Sequence, residues 1–322
     1  MTTQSLFDRI LRAHSAIRPQ VCVTPLERSR ALSAALGCEV LLKAEHLQPT
    51  GSFKIRGATN KICVLGSAAK STGVITASTG NHGQALARAG ALAGVPVTVY
   101  VAASTVRPKM EAIRGWGAEL VVVDGNPLEA ELQARQRAAE QNKPYISPYN
   151  DLDVVAGQGT LGIELAQQTA QLDAVFVSVG CGGLIGGIGS ALEHLRPDTR
   201  VVGVWPENSP CMLRALEAGS IIDVPERPTL SDGSAGAVEP GSITFPICQS
   251  VIDETITVTE SQIASAMRRI AEAERWIVEG AAGVALAGLV KAAHDYRGRT
   301  VVVVLCGRNI ALETFLGAVA LP

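Results

Sequence analysis

Aliphatic runs of four to eight residues recur along the chain, separated by stretches whose apolar positions fall at helical spacing. The runs at 39–45, 73–78, 96–102, 119–124 and 144–147 are strand candidates, followed by 174–180, 201–206, 255–260 and 300–307. Intervening segments such as GNHGQALARAGALAG and VVAGQGTLGIELAQQ suit helices packed on a sheet. Alternation of this kind predicts an α/β architecture with right-handed crossovers. Runs so continuously aliphatic further predict parallel strands buried on both faces.

Two sheets fit the pattern better than one. Residues 55–150 hold four of the strands and end at SPYND, a small unit. Residues 1–54 and 151–322 then form a larger, discontinuous one. Each is expected to be an open, mostly parallel sheet flanked by helices. A ligand site belongs in the cleft between them, at the carboxyl ends of strands.

Composition narrows the function classes. Hydrophobic residues make up 47% of the 322 positions and aromatic residues only 4%, so the core must be Val, Ile, Leu and Ala. A net charge of −2 gives no basic footprint, which excludes nucleic acid as a partner. Seven cysteines, an odd number without a C-x-x-C pair, argue against a disulfide framework and against a structural zinc site. The amino terminus is polar and amphipathic, unlike a signal peptide, and no apolar run is long enough to span a bilayer. The expectation is a soluble, reduced, cytoplasmic protein with no membrane partner.

Candidate chemistry lies in four turns. PTGSFKIRG (49–57) sets one lysine, Lys54, at the start of a helical segment, as a solvated side chain or as a reactive amine. VSVGCGGLIGGIG (177–189) joins a strand to a helix. Its glycines would let N–H groups approach an anion, or would only permit close helix–sheet packing. A dinucleotide fingerprint fails here, because the sixth position from Gly180 is Ile185 and VVGVWP supplies no acidic residue. TASTGNHGQALA (76–87) groups Ser78, Thr79, Gly80, Asn81 and His82 at another strand-to-helix turn, more polar groups than a cap requires. VVVVLCGRN (301–309) carries Cys306 to the carboxyl edge of the sheet.

In this order and at these separations, TGSFKIRGA, STGNHGQALA, VGCGGLIGG and VVLCGRN closely resemble the pyridoxal-phosphate-dependent threonine/serine dehydratases and serine racemases. The resemblance runs from TPLERS (24–29) to the carboxyl terminus. It implies the two-domain, tryptophan synthase β-like arrangement of fold type II, and a homodimer. Lys54 would be the Schiff-base and catalytic lysine, with Phe53 flanking the cofactor ring. Gly180, Cys181, Gly182, Gly183 and Leu184 would bind the phosphate. Asn81 would contact the ring hydroxyl, and Cys306 and Glu279 would lie near the pyridine nitrogen. Ser78, Thr79, Gly80, Asn81 and His82 would hold the substrate. The implied reaction is elimination from an L-β-hydroxy amino acid to a 2-oxo acid and ammonia, with a racemase or β-replacement synthase as the alternative on the same scaffold.

Three departures qualify the resemblance. Thr79 stands where racemase-like relatives place a serine base, so its hydroxyl is a crowded proton carrier and racemisation at most a side reaction. Trp205 replaces the glutamate of the racemases' divalent-metal site, so no metal is expected. The stretch 230–248 is similar to the branch of phenylserine and hydroxyectoine-degradation dehydratases, which allows a substrate larger than serine. With the last residue at Pro322, a carboxyl-terminal regulatory domain and feedback control by isoleucine are not expected.

Overall fold

The structure, a computed structural model, describes residues 3–78 and 80–320. Its strands are β1 (Leu26–Arg28), β2 (Glu39–Lys43), β3 (Val74–Ala77), β4 (Val97–Ala102), β5 (Glu119–Val123), β6 (Ala174–Ser178), β7 (Arg200–Pro206), β8 (Glu254–Val258) and β9 (Thr300–Val304). The larger sheet has the order β1-β2-β9-β6-β7-β8 and the smaller β3-β4-β5. All pairings are parallel except β1 with β2. Every residue of β6 and β9 is buried, as strands covered by helices on both faces must be.

Several of the expected strands differ in detail. The run at 144–147 is no strand: it touches β3 through one isolated bridge, Ile75 to Tyr145. Pro144 has no N–H to give, so the ladder cannot extend in that direction. The run at 39–45 stops at Lys43, and Glu45–Leu47 turns into a 3-10 helix. The run at 300–307 stops at Val304, which leaves Cys306 in the loop beyond the strand. The short antiparallel β1 has no counterpart among the expected strands.

The loop after β2 and the loop after β9 are sewn together. Phe53 N–H donates to the Cys306 carbonyl at 3.0 Å, and Arg308 N–H donates to Gly51 at 2.9 Å. Asn309 Nδ2 reaches the Thr50 carbonyl at 2.8 Å. The helix Lys54–Leu65 therefore starts at a fixed point on the carboxyl edge of the large sheet.

Its direction is set by what packs beneath it. Helix Leu152–Gln168 crosses so closely that a Cβ at Gly157 would lie 2.6 Å from the Arg56 carbonyl oxygen. Arg56, two residues past Lys54, points into a buried ionic cluster. Its Nε and Nη2 donate to Glu45 at 2.7 and 2.8 Å, and Nη1 and Nη2 donate to Glu164 at 2.8 Å each. Nη1 also donates to Thr160 Oγ1 at 3.0 Å, so all the guanidinium protons are used. Lys43 completes the cluster, its Nζ bonded to Glu164 at 2.6 Å and to Thr24 O and Gln168 Oε1 at 2.8 Å.

Lys43, Glu45, Arg56 and Glu164 are all within 1% of fully buried. Burial alone would raise the Glu45 carboxyl, but the Arg56 guanidinium overrides this and holds it below its ordinary value. Two cations and two anions with every donor placed is the condition under which such a cluster holds together. Removing Arg56 leaves the buried Glu45 carboxylate without its ion-pair partner, while Lys43 stays paired to Glu164. Arg56→Met is expected to lower the stability of the apoprotein by about 3–5 kcal/mol, read as a drop in the denaturant midpoint.

Candidate active site

A cavity of about 680 Å³ opens at the carboxyl ends of the strands. Phe53 and Lys54 line it, as do Ser78, Gly80, Asn81, His82, Gly180 through Leu184, Glu279 and Cys306. The turns singled out in the sequence thus meet at one place. Thr79, the expected second proton carrier, lies outside the described residues.

Lys54 Nζ donates to the Pro148 carbonyl at 3.0 Å and sits 5.2 Å from the Phe53 ring centroid. Burial lowers the affinity of this amine for its proton, against the opposing pull of Cys181, Cys306 and Glu279. The lysine is thereby shifted towards the neutral, nucleophilic form.

Facing it is the turn from β6 into helix Gly183–Leu195. Gly182 at the N-cap has φ 87°, a left-handed conformation that favours glycine. The first helical turn leaves N–H groups without intrahelical acceptors, directed at the cavity, with the positive end of the helix dipole behind them. Both readings of this glycine run hold. Gly187 serves packing, since a Cβ there would lie 2.6 Å from the Gly159 nitrogen, whereas Gly180 and Gly182 line the cavity and are also closely packed, against the Ser234 carbonyl oxygen (2.7 Å from a Cβ at Gly180) and Cys248 Sγ. Ser178 Oγ, also in the lining, is buried without a protein partner.

The opposite wall holds a polar chain. Asn81 Nδ2 donates to Glu279 Oε1 at 2.8 Å and Oε2 at 3.1 Å, and Asn309 N–H donates to Glu279 Oε2 at 3.1 Å. Asn309 Nδ2 in turn donates to Asn81 Oδ1 at 2.6 Å. Asn309 is a site residue to which the sequence reading assigned no role, although it closes the LCGRN turn. Burial pushes the Glu279 carboxyl up to about 7, and the Asn81 hydrogen bond only partly offsets this. Burial likewise keeps the Cys306 thiol well above its usual value, hence neutral. His82 is buried, its Nε2–H donates to the Ile146 carbonyl at 3.3 Å, and burial together with Lys54 lowers it to about 3. It is a neutral imidazole, with Nδ1 unpartnered.

These features fit a phosphate-bearing aldehyde. The lysine offers an amine of lowered pKa, the glycine turn offers N–H groups for an anion, and an unpartnered serine hydroxyl lines the same cavity. The fold and site define a pyridoxal-phosphate enzyme of the α/β type with mostly parallel sheets. The family model for pyridoxal-phosphate dependent enzymes matches residues 17–307, and the chain belongs to this family. It is 40% identical to the L-threonine ammonia-lyase of Geobacter sulfurreducens over 309 residues, covering 96% of this chain and 76% of that protein. Among solved structures it is similar to the processed form of threonine deaminase isoform 2 from Solanum lycopersicum, with TM-score 0.95 and 30% identity over 99% of this chain and 94% of that one. Maize serine racemase is also similar, with TM-score 0.91 and 29% identity over 98% and 96%.

The elevated carboxyl of Glu279 has a measurable sign. Its folded value, about 7, lies above the ordinary 4.5, so the folded chain holds a proton that the unfolded chain releases earlier. The stabilising contribution is full below the unfolded value and is lost as pH rises through the folded one. Glu279→Gln removes this dependence. Thermal midpoints of the apoprotein measured from about pH 5 to about pH 8 are expected to move in favour of the variant as pH rises.

Proposed function

We propose that the chain is an ammonia-lyase that eliminates the β-hydroxyl of an L-β-hydroxy amino acid, giving a 2-oxo acid and ammonia. The observation that carries this reading is the half-buried Lys54 amine facing the glycine turn across one cavity. Bound there, pyridoxal phosphate supplies the electron sink for charge developing at the substrate α-carbon. Lys54 would hold the cofactor, and its neutral amine is the group placed to take the α-proton. Gly180 to Leu184 would hold the phosphate through backbone N–H groups. Phe53 would flank the ring, Asn81, held by Glu279 and Asn309, would contact its hydroxyl, and Cys306, a neutral thiol, would lie near its nitrogen.

The turn Ser78–His82 takes the substrate carboxylate. There the amino terminus of helix Asn81–Ala93 and the Ser78 hydroxyl supply the attraction, because His82 carries no charge. A racemase needs a second proton carrier across the substrate from Lys54, and that role would fall to Thr79. The two sheets are read as two units, 55–150 and 1–54 with 151–322, with the cavity between them. The reading includes a homodimer in a reduced, cytoplasmic setting, which suits seven free cysteines.

Two measurements test it. Lys54→Ala is expected to remove both the absorbance of the covalently held cofactor and all ammonia release. The unaltered holoenzyme should release ammonia from at least one of L-threonine, L-serine and threo-3-phenylserine. Release from none of them contradicts elimination.

A further inference from the structure

The more exposed rim of the cavity carries charged side chains that the proposed chemistry does not use. They are Lys109, Glu131, Glu226 and Asp232. Three carboxylates thus face one ammonium. Lys109 is already committed, its Nζ lying 2.7 Å from Asp232 across the opening. Glu226 accepts from Gly236 N–H at 2.9 Å, which fixes its carboxylate in the rim. Arg135 stands behind Glu131, paired with it at 2.7 Å and also with Glu239, and stacked over Tyr145 at 4.4 Å. It is not part of the lining among the described residues.

Every cation of the described lining is therefore spent. Lys54 serves the cofactor, Lys109 serves Asp232, and His82 is neutral. One carboxylate on the substrate finds N–H groups at the start of helix Asn81–Ala93. A second carboxylate would find, among the charged side chains of the described lining, three rim carboxylates and no unpaired cation.

We propose, resting on the lyase reading above, that the site selects β-hydroxy amino acids with uncharged side chains and rejects those with a second carboxylate. The Lys109–Asp232 pair is the specificity element. L-Threonine and L-threo-3-hydroxyaspartate are a suitable pair of probes, because a methyl group in one is a carboxylate in the other.

The test titrates the holoenzyme with each probe, reading binding from the change in cofactor absorbance and turnover from ammonia release. The unaltered protein is expected to bind L-threonine about a hundredfold more tightly than L-threo-3-hydroxyaspartate, the scale of placing like charges together in a partly buried site. Asp232→Asn removes one anion and frees Lys109, and should improve relative binding of L-threo-3-hydroxyaspartate about tenfold. Comparable binding of the two by the unaltered protein overturns the proposal, and so does a folded Asp232→Asn variant with an unchanged ratio. Because selectivity is read from binding, loss of the lyase reading shows separately, as preserved discrimination without ammonia release.

Discussion

The position of Lys54 depends on a charge cluster that never touches the cavity. Arg56 lies two residues further along the same helix and is locked by five hydrogen bonds to Glu45, Thr160 and Glu164. Those partners come from the 3-10 helix after β2 and from helix Leu152–Gln168, so the cluster fixes the rotation of the Lys54 helix about its own axis. An apolar replacement of the whole cluster could match its stability, since burying charge is costly. What the ionic version adds is geometry: a planar guanidinium with every proton placed allows one orientation only. The hydrogen bonds from Phe53 to Cys306 and from Arg308 to Gly51 fix the start of the same helix. With its start and its rotation both fixed, the amine has little freedom except along its own side chain.

Around that amine, burial moves every titratable group in the same sense, towards the uncharged form. Lys54 is lowered, His82 falls to about 3, Glu279 rises to about 7 and Cys306 stays a thiol. The inner cavity is thereby short of fixed charge, and backbone N–H groups at two helix starts and uncharged polar side chains supply its polarity. Such a site can bind a phosphate at one helix terminus and a carboxylate at another while leaving the reacting centre with a neutral base. Ionised side chains gather instead at the rim, where water screens them and where substrate charge can be sorted before entry.

Much of this was legible in the sequence. The aliphatic runs placed eight of the strands, because strands covered on both faces leave an unbroken hydrophobic record. The four turns were legible because they group more polar residues and glycines than capping alone requires. What could not be read is whatever joins distant positions. Arg56 sits in the most conspicuous motif of the chain, yet its partner Glu164 is 108 residues away and looks like any helical glutamate. The link from Asn309 to Asn81 spans 228 residues. The run at 144–147 misled because periodicity cannot tell a strand from an extended segment that touches a sheet through one bridge. Thr79 falls outside the described residues.

The central claim is that Lys54, and no other amine, holds the cofactor. Borohydride reduction of the holoenzyme followed by mass-spectrometric peptide mapping tests it directly, because reduction makes the bond between lysine and cofactor permanent. The account predicts a phosphopyridoxyl label on the peptide containing Lys54 and on no other. A label at another lysine, or none on a protein that has bound the cofactor, would contradict it.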